Sequence, residues 1–220
     1  MSGKKLTFLI TSGATKEYID PVRFIGNDSS GRMGAALARR ALLKKCRVIF
    51  ISGQSSFAPP KGVELIETVS AAGMFKAVKD NFAEADIIIG AAAVADFAPL
   101  LFRRRKMKKE KGVPVIRLKK NPDIIAYCGK NKKGRTVAGF ALETENLAGK
   151  AFKKLKNKNL DLIITNGKDA LGSQKSSVII IGADGRAMEM RDSDKNKIAG
   201  KIINETIRIF TNNKACQKGS

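Results

Sequence analysis

The sequence predicts an α/β fold in which a Rossmann-like, doubly wound and mostly parallel sheet carries a basic flap and a C-terminal β-hairpin plus helix. Short apolar runs alternate along the chain with segments of helical periodicity, an order that places helices on both faces of a parallel sheet. One run, residues 86–93 (DIIIGAAA), is apolar almost throughout, as expected of a central strand that is buried on both faces. In such sheets, ligands bind beyond the carboxyl ends of the strands.

The individual elements follow from apolar runs that end at turn residues and from the helical spacing between those runs. Strands are expected at residues 6–10, 47–51, 62–69, 86–93, 113–118, 136–141 and 160–164, and an edge hairpin at 178–190. Helices are expected after Gly31, at residues 71–82, 147–157 and 195–210, and after Asn121, where Pro122 stands near the first helical position. No linker divides the chain, so residues 1–220 are predicted to form a single domain with a disordered tail at 212–220.

The absence of certain residue types limits the chemistry. The chain has no histidine, which excludes Ser-His-Asp and Cys-His catalysis and the usual mixed His/Cys zinc sites. Its three cysteines, Cys46, Cys128 and Cys216, form no Cys-x-x-Cys pair and suit a reducing compartment. No apolar run approaches the roughly 20 residues of a membrane span, and no secretory segment precedes the first strand. We therefore expect a cytoplasmic protein with no membrane partner.

The formal charge of +22 favours negatively charged partners but does not choose between nucleic acid and small polyanions. Basic residues are spread over the whole sequence, and only two tyrosines and no tryptophan are present to stack on bases. Binding to nucleic acid is therefore expected to be non-specific only.

The loop at residues 20–34 (DPVRFIGNDSSGRMG) has the composition of an anion-binding site at the start of a helix. Ser29 and Ser30 occupy positions typical of a helix N-cap, and Gly31 allows an anion to approach the free backbone N–H groups. Arg23 adds positive charge to the same loop. The alternative is an ordinary serine-capped helix that follows a loop. A dinucleotide fingerprint requires glycine where Ser29 stands, so a nicotinamide enzyme is disfavoured.

Two further segments carry charge beside the expected strand ends. Asp96 follows the central strand, so its carboxylate is expected to face the crevice, although a loop aspartate is often only a cap or turn residue. Residues 102–111 (FRRRKMKKEK) form the densest charge run of the chain. This run is expected to be either a solvated loop or a flap, within about residues 97–120, whose lysines close over a triphosphate.

Six sequence blocks in one order carry a resemblance to a known family. They are TSGAT at 11–15, DPVRFIGNDSSGRMG at 20–34, AAAVADF at 91–97, KMKK at 106–109, KNPDI at 120–124 and GFALET at 139–144. Together they resemble phosphopantothenoylcysteine synthetase, in register over residues 6–210. The resemblance implies a ligase of coenzyme A biosynthesis that joins 4'-phosphopantothenate to L-cysteine through an acyl-cytidylate. It implies that the enzyme uses CTP and Mg²⁺ and releases CMP and pyrophosphate.

The resemblance also implies a homodimer and a stand-alone synthetase domain without flavin. The phosphopantothenoylcysteine decarboxylase that often precedes this domain in bacteria would then be encoded separately or be missing from this sequence. Nothing in the residues themselves distinguishes CTP from ATP.

The same resemblance assigns roles to individual residues. Asn27 is expected to contact the activated acyl group, and Lys106 to bind the triphosphate from the flap. The nucleotide-binding residues would be Gly90, Ala91, Ala92, Asp96, Lys106, Pro122, Asp123, Ile124, Ile125, Phe140, Lys154 and Lys158, with Asp96 also meeting the metal. The substrate-binding residues would be Arg23, Asn27, Ser29, Ser30 and Gly31. Gly26, Asp28 and Arg32 depart from the family pattern, and Asp28 places a negative charge beside the expected anion site.

Two other classes of function remain open. A non-catalytic nucleotide-binding or nucleic-acid-binding module is the first alternative, because such a module would keep the Rossmann-like fold. A flavin or nicotinamide reductase is the second. Selective stabilisation by CTP would support the ligase, whereas salt-sensitive binding of RNA alone would support the non-catalytic module.

Overall fold

The computed structural model describes residues 5–108, 114–142, 146–166 and 175–218. Its strands are β1 (Thr7–Ser12), β2 (Lys16–Tyr18), β3 (Phe24–Gly26), β4 (Arg47–Ser52), β5 (Glu64–Glu67), β6 (Ile87–Gly90), β7 (Phe97–Pro99), β8 (Leu118–Lys120), β9 (Thr136–Leu142), β10 (Leu162–Asn166), β11 (Lys175–Gly182) and β12 (Ala187–Asp194). Its α-helices are α1 (Arg32–Leu43), α2 (Ala71–Asn81), α3 (Ile124–Lys130), α4 (Leu147–Asn157) and α5 (Lys195–Lys218). A short 3-10 helix at Phe82–Glu84 follows α2.

The central sheet has eight strands in the order β12-β11-β10-β9-β6-β1-β4-β5. The six strands from β10 to β5 are parallel, whereas β11 and β12 extend the edge as an antiparallel hairpin. The chain runs outward from β1 to β4 and β5 and then returns past β1 to β6, so the strand order reverses between β1 and β6. The predicted doubly wound, mostly parallel sheet is confirmed. The reversal point is where such sheets bind ligands.

Alternate residues of the central strands face two separate cores, because successive side chains on a strand point to opposite faces of the sheet. Phe8 and Ile10 of β1 pack with helices α1 and α5, whereas Leu9 between them packs with α2, α3 and α4. All three side chains are fully shielded from solvent. Strand β6 repeats the pattern with three consecutive isoleucines. The apolar run predicted as a central strand therefore reflects burial on both faces.

Two short antiparallel ribbons follow the carboxyl ends of β1 and β6. In the first ribbon, Lys16 of β2 pairs with Gly26 of β3. In the second, Phe97 of β7 pairs with Lys120 of β8. The ribbons contact each other through β2 and β7. The second ribbon forms the base of the flap predicted at residues 97–120, of which 109–113 lie outside the described residues.

The C-terminal segment differs from its prediction. Helix α5 continues to Lys218, although a disordered tail is predicted from residue 212. Good helix formers such as lysine, alanine and glutamine occupy this segment, and no glycine or proline interrupts it before Gly219. Among the described helices, including α5, none combines the length and the apolar character needed to cross a membrane.

Two predictions around the flap also differ from the structure. Of the strand predicted at residues 113–118, residue 113 lies outside the described residues, and of the described residues 114–118 only Leu118 takes part in a ladder, as the first residue of β8. Pro122 precedes α3 instead of opening it, because Asp123 is the N-cap of that helix. The Asp123 carboxylate accepts a hydrogen bond from the backbone N–H of Ala126 at 3.0 Å. A carboxylate satisfies the free N–H groups of a first turn, so the helix begins one residue after it.

Candidate functional site

A cleft with a volume of about 200 Å³ opens at the carboxyl ends of β6 and β9, beside Thr11 of β1. Several separate stretches of sequence line it, as expected of a site at the reversal point of the sheet. Nine of the twelve residues expected to bind a nucleotide belong to this lining. They are Gly90, Ala92, Asp96, Pro122, Asp123, Ile124, Ile125, Phe140 and Lys158. The structure thus brings together residues that are up to 68 positions apart in the chain, from Gly90 to Lys158.

Three of the twelve residues lie outside the lining formed by the described part of the chain. The side chain of Ala91 packs with the core beneath α1 and α5, because the alternation along β6 turns it to that face of the sheet. Lys154 is exposed on α4, one turn before Lys158. Lys106 is exposed on the flap. The predicted placement of these three residues against the cleft is therefore not seen in the single chain.

The loop between β6 and β7 is held in place by two threonines, Thr11 near the end of β1 and Thr15 in the segment that follows it. The backbone N–H of Ala92 donates to Oγ1 of Thr11 at 3.3 Å, and that of Ala95 donates to Oγ1 of Thr15 at 2.9 Å. From the other side, Nδ2 of Asn121 donates to the carbonyl oxygen of Ala95 at 2.8 Å. These hydrogen bonds fix the cleft wall before a ligand arrives. Sequence reasoning assigned no role to the two threonines, although both belong to the TSGAT block.

Gly90 at the end of β6 and Gly139 in the middle of β9 make room for Ile125 of α3. A Cβ atom built on Gly90 would lie 2.9 Å from Cδ1 of Ile125, and one built on Gly139 would lie 3.3 Å from its Cγ1. Gly90 and Gly139 are direct neighbours on adjacent strands. The resemblance implies that Gly90 contacts the nucleotide. The space beside Gly90 is instead filled by Ile125, which itself lines the cleft.

An ion pair spans the lip of the cleft. Nζ of Lys158 lies 2.7 Å from Oδ2 of Asp123. Behind this pair, Cys128 is completely buried. Burial raises the pKa of the Cys128 thiol to about 12, and the negative charge of Asp123 adds to that effect. The thiol therefore stays protonated at neutral pH and does not act as a nucleophile.

Asn27 stands at the rim of the same cleft. Its side-chain Nδ2 donates to the carbonyl oxygen of Val94 at 3.0 Å, and Val94 lines the cleft together with Asp96. Asn27 is otherwise exposed to solvent. The side-chain amide is thus fixed to one wall of the cleft while remaining open to a ligand.

The helix start beside Asn27 differs from the prediction in its cap. Gly31, and neither Ser29 nor Ser30, is the N-cap of α1, with a φ of 73° in the left-handed region that favours glycine. A Cβ atom on Gly31 would overlap the side chain of Ser55. The hydroxyl of Ser29 accepts from the N–H of Gly31, and that of Ser30 from the N–H of Arg32, each at 3.4 Å. The sharp turn into α1 requires a left-handed residue at the cap, so the serines stabilise the turn before it.

Arg23 is joined to the flap through Asp20. Oδ2 of Asp20 accepts from Nη1 of Arg23 at 2.8 Å and from the backbone N–H of Met107 at 3.1 Å. Asp20 has no exposure to solvent. Burial alone would raise its pKa, but hydrogen bonds from the backbone of Val22, Met107 and Arg23 and the Arg23 charge lower the pKa to about 2. Sequence reasoning gave Asp20 no role, and only its place in the DPVR segment marked it.

The predicted metal contact is a single carboxylate, that of Asp96. In the described ranges, no group of three or more histidine, cysteine, aspartate or glutamate side chains is arranged to hold a metal ion. Asp96 is exposed and lines the cleft. Mg²⁺ is ordinarily bound by one or two carboxylates together with the phosphates of a substrate. Asp96 fits a Mg²⁺ ion that arrives with a polyphosphate.

The chain matches a family model described as DNA/pantothenate metabolism flavoprotein C-terminal domain over residues 1–209. It is 43% identical to the coenzyme A biosynthesis bifunctional protein CoaBC of Bacillus subtilis over 202 residues, which covers 90% of this chain and 50% of that protein. CoaBC of Borreliella burgdorferi is 41% identical over 203 residues, which covers 91% of this chain and 52% of that protein. The chain therefore spans about half the length of the curated relatives that it matches.

A solved structure agrees with these matches. The crystal structure of the C-terminal domain of CoaBC superimposes on the chain with a TM-score of 0.81 at 35% identity, and 94% of this chain and 96% of that one are covered. The resemblance carried by the six sequence blocks is thereby confirmed. The chain belongs to the DNA/pantothenate metabolism flavoprotein C-terminal domain family and corresponds to the C-terminal domain of CoaBC.

Proposed function

We propose that this chain joins 4'-phosphopantothenate to L-cysteine in coenzyme A biosynthesis, with CTP as the energy source and an acyl-cytidylate as the intermediate. The observation that carries the proposal is the cleft, around which nine expected nucleotide-binding residues lie with Asn27 at the rim. The similarity to the C-terminal domain of a coenzyme A biosynthesis protein supports the same reaction.

In the first half reaction, a carboxylate oxygen of 4'-phosphopantothenate attacks the α-phosphorus of CTP. The bond between that phosphorus and the bridging oxygen of the β-phosphate breaks, and pyrophosphate leaves. Lys158 and Lys106 offset the negative charge that develops on the leaving group, because cations placed before the reaction stabilise such charge most effectively. A Mg²⁺ ion held by Asp96 and the phosphates would supply further positive charge at the triphosphate.

In the second half reaction, the amine of L-cysteine attacks the acyl carbon, CMP leaves, and the amine proton passes to solvent as the amide forms. Asn27 suits contact with the acyl group, since a side-chain amide donates to a carbonyl oxygen and accepts from an amine without titrating. The chain contains no histidine, so its own residues supply no imidazole base. Positioning and charge are therefore the main contributions of the protein.

The proposed partner is a second copy of the chain. Large apolar side chains stand exposed on the first ribbon and at the flap base, among them Val22, Leu101 and Phe102, which are 58%, 77% and 57% exposed. Exposed apolar side chains on two ribbons that contact each other favour an interaction site in this region. A homodimer through the two ribbons would cover it and would place the flap of one copy near the cleft of the other, which suits the separation of Lys106 from its own cleft.

No flavin is proposed for this chain. The product keeps the carboxyl group of its cysteine part. Phosphopantothenoylcysteine decarboxylase would remove this group, on a separate chain or in another part of a longer protein. The relatives are bifunctional by name, and this chain spans about half of their length. A ligase of this kind would work in the cytoplasm, where CTP and free cysteine are available.

Thermal stabilisation by a panel of ligands tests the proposal first. The panel is CTP, ATP, FMN, NADPH and a short RNA, each with Mg²⁺. Stabilisation by CTP, followed by pyrophosphate release that requires 4'-phosphopantothenate, would support the ligase. Stabilisation by FMN or NADPH alone would favour a reductase. Binding of RNA alone, with an affinity that falls steeply as salt is raised, would favour a nucleic-acid-binding module.

A further inference from the structure

We propose that Asp20 is a positioning residue that fastens the flap, at Met107, to Arg23, so that Arg23 and Lys106 are held as one unit. Lys106 directly precedes Met107, the flap residue that Asp20 binds. The identity of the ligands that these two cations bind rests on the proposed function. The fastening itself rests only on the geometry of the chain.

The two oxygens of Asp20 have separate tasks. Oδ1 accepts from the backbone N–H groups of Val22 and Arg23, each at 2.8 Å, and so forms a local turn. Oδ2 accepts from Nη1 of Arg23 and from the N–H of Met107, which lies 87 residues further along the chain. A residue needed only for the turn would use one oxygen. The second oxygen connects the predicted substrate-binding arginine to the flap.

Two further hydrogen bonds join the flap to the segment around Asp20. Nη1 of Arg23 also donates to the carbonyl oxygen of Met107 at 3.3 Å. The backbone N–H of Arg103 donates to the carbonyl oxygen of Ile19 at 2.9 Å, next to Asp20. The flap is therefore fixed on both sides of Lys106. The side chain of Arg23 is nevertheless 42% exposed, so it can meet an anionic substrate while it stays bound to Asp20.

This arrangement couples the two cations. Hydrogen bonds to an ionised carboxylate are stronger than those to a neutral group, and solvent does not reach Asp20 to compete with them. Loss of the Oδ2 contacts would loosen the Arg23 guanidinium and the backbone next to Lys106 at the same time, leaving only the bond from Arg23 to the Met107 carbonyl and that from Arg103 to Ile19. A single change at Asp20 should therefore impair binding of the phosphorylated acid at Arg23 and charge neutralisation at Lys106 together.

Asp20→Asn separates the two tasks of the carboxylate. The amide oxygen takes the place of Oδ1 and keeps the turn, while the amide nitrogen faces two donors, the N–H of Met107 and Nη1 of Arg23, and cannot accept from either. The matched control is Asp161→Asn at the opposite end of the sheet. Asp161 is also buried, accepts from the N–H of Val137 at 2.8 Å and pairs with Lys132 at 2.8 Å.

Hydrogen exchange of the ligand-free protein measures the fastening directly. In Asp20→Asn the amide hydrogen of Met107 should exchange at least about tenfold faster, as expected for loss of one charge-assisted hydrogen bond. In Asp161→Asn its exchange rate should not change. Unchanged exchange at Met107 in Asp20→Asn would overturn the proposal. This readout does not depend on ligase activity. Failure of the wild-type protein to ligate would therefore reject the proposed function and leave the fastening standing.

Kinetics then test the coupling. In Asp20→Asn, KM for 4'-phosphopantothenate should rise and CTP-dependent pyrophosphate release should slow, each about tenfold. Asp161→Asn should lose similar thermal stability but keep both constants. Equal changes in KM and in the rate of pyrophosphate release in the two variants would show that Asp20 has only a structural role. If Asp20→Asn does not fold, Met107→Pro removes the same hydrogen bond from the flap side, and normal kinetics in that variant would overturn the coupling.

Discussion

Nζ of Lys158 lies 2.7 Å from Oδ2 of Asp123, so that the C-cap of α4 is paired with the N-cap of α3 at the lip of the cleft. The backbone reinforces the pair. Gly129 of α3 lies so close to the carbonyl of Lys158 that a Cβ atom would not fit, and Nδ2 of Asn159 donates to the carbonyl oxygen of Gly129 at 2.9 Å. Lys158 is thus a cation whose position is set before a ligand arrives. A phosphate could replace or join its carboxylate partner without moving the helix.

Lys158→Gln is expected to raise KM for CTP about tenfold, because one charge-assisted contact to the triphosphate is lost. The value of kcat should fall as well, because the same cation offsets the charge that develops on the departing pyrophosphate. Steady-state kinetics with varied CTP give both constants. The matched control is Lys132→Gln, whose lysine pairs with Asp161 away from the cleft. An equal rise in KM in the control would show that the effect is general and electrostatic.

Asn27→Asp is expected to allow acyl-cytidylate to form but to slow its conversion to product by about 100-fold, because a carboxylate cannot donate to the acyl oxygen. The new carboxylate would also face the carbonyl oxygen of Val94, which Nδ2 now contacts at 3.0 Å. Rapid quench with labelled CTP measures accumulation of the intermediate. Asn131→Asp is the control, because Nδ2 of Asn131 likewise donates to a backbone carbonyl, that of Tyr127, away from the cleft lining. A variant of Asn27 that turns over normally removes this residue from the mechanism.

Gly90→Ala is expected to push Ile125 into the cleft and weaken CTP binding. The new methyl group would lie 2.9 Å from Cδ1 of Ile125, a distance that only a shift of that side chain relieves. Overpacking of this kind costs about 1–3 kcal/mol in stability. Ile125→Val lacks the Cδ1 atom, so the double variant should regain most of the stability and CTP affinity. A double-mutant cycle of unfolding free energies and CTP dissociation constants measures the coupling, and simple additivity would show that Ile125 does not fill this space.

Sequence patterns predict the features of this fold that depend on residues close together in the chain better than those that depend on contacts between distant segments. The central strand was predictable because burial on both faces demands an unbroken apolar run, and Ile87, Ile88 and Ile89 meet that demand locally. The resemblance likewise identified the segments that line the cleft. It did not determine which side chain of a segment faces inward, and strand alternation turns Ala91 away.

Interactions between distant segments left no such local signal. Asp20 and Met107 are 87 residues apart, and nothing in the spacing around either residue predicts that a backbone N–H on the flap donates to a buried carboxylate. The N-cap at Gly31 has a similar origin. Serine is the better cap by propensity, but the approach of Ser55 and the left-handed turn select glycine. Tertiary packing decided both features.

The lowered pKa of Asp20 also predicts how the free energy of unfolding depends on pH. Its pKa is lowered from the ordinary value of 3.8 to about 2 in the folded protein, so between these pH values the folded state keeps the carboxylate ionised while the unfolded chain binds a proton. The stability that Asp20 contributes is fully present above about pH 4 and is lost as the pH falls through about 2. Urea unfolding of wild-type protein and Asp20→Asn between pH 5 and pH 2 measures this contribution. The free-energy difference between the two proteins should shrink as the pH falls, because carboxylates paired elsewhere titrate in both and cancel. A difference that stays constant over this range would show that the charge of Asp20 does not stabilise the fold.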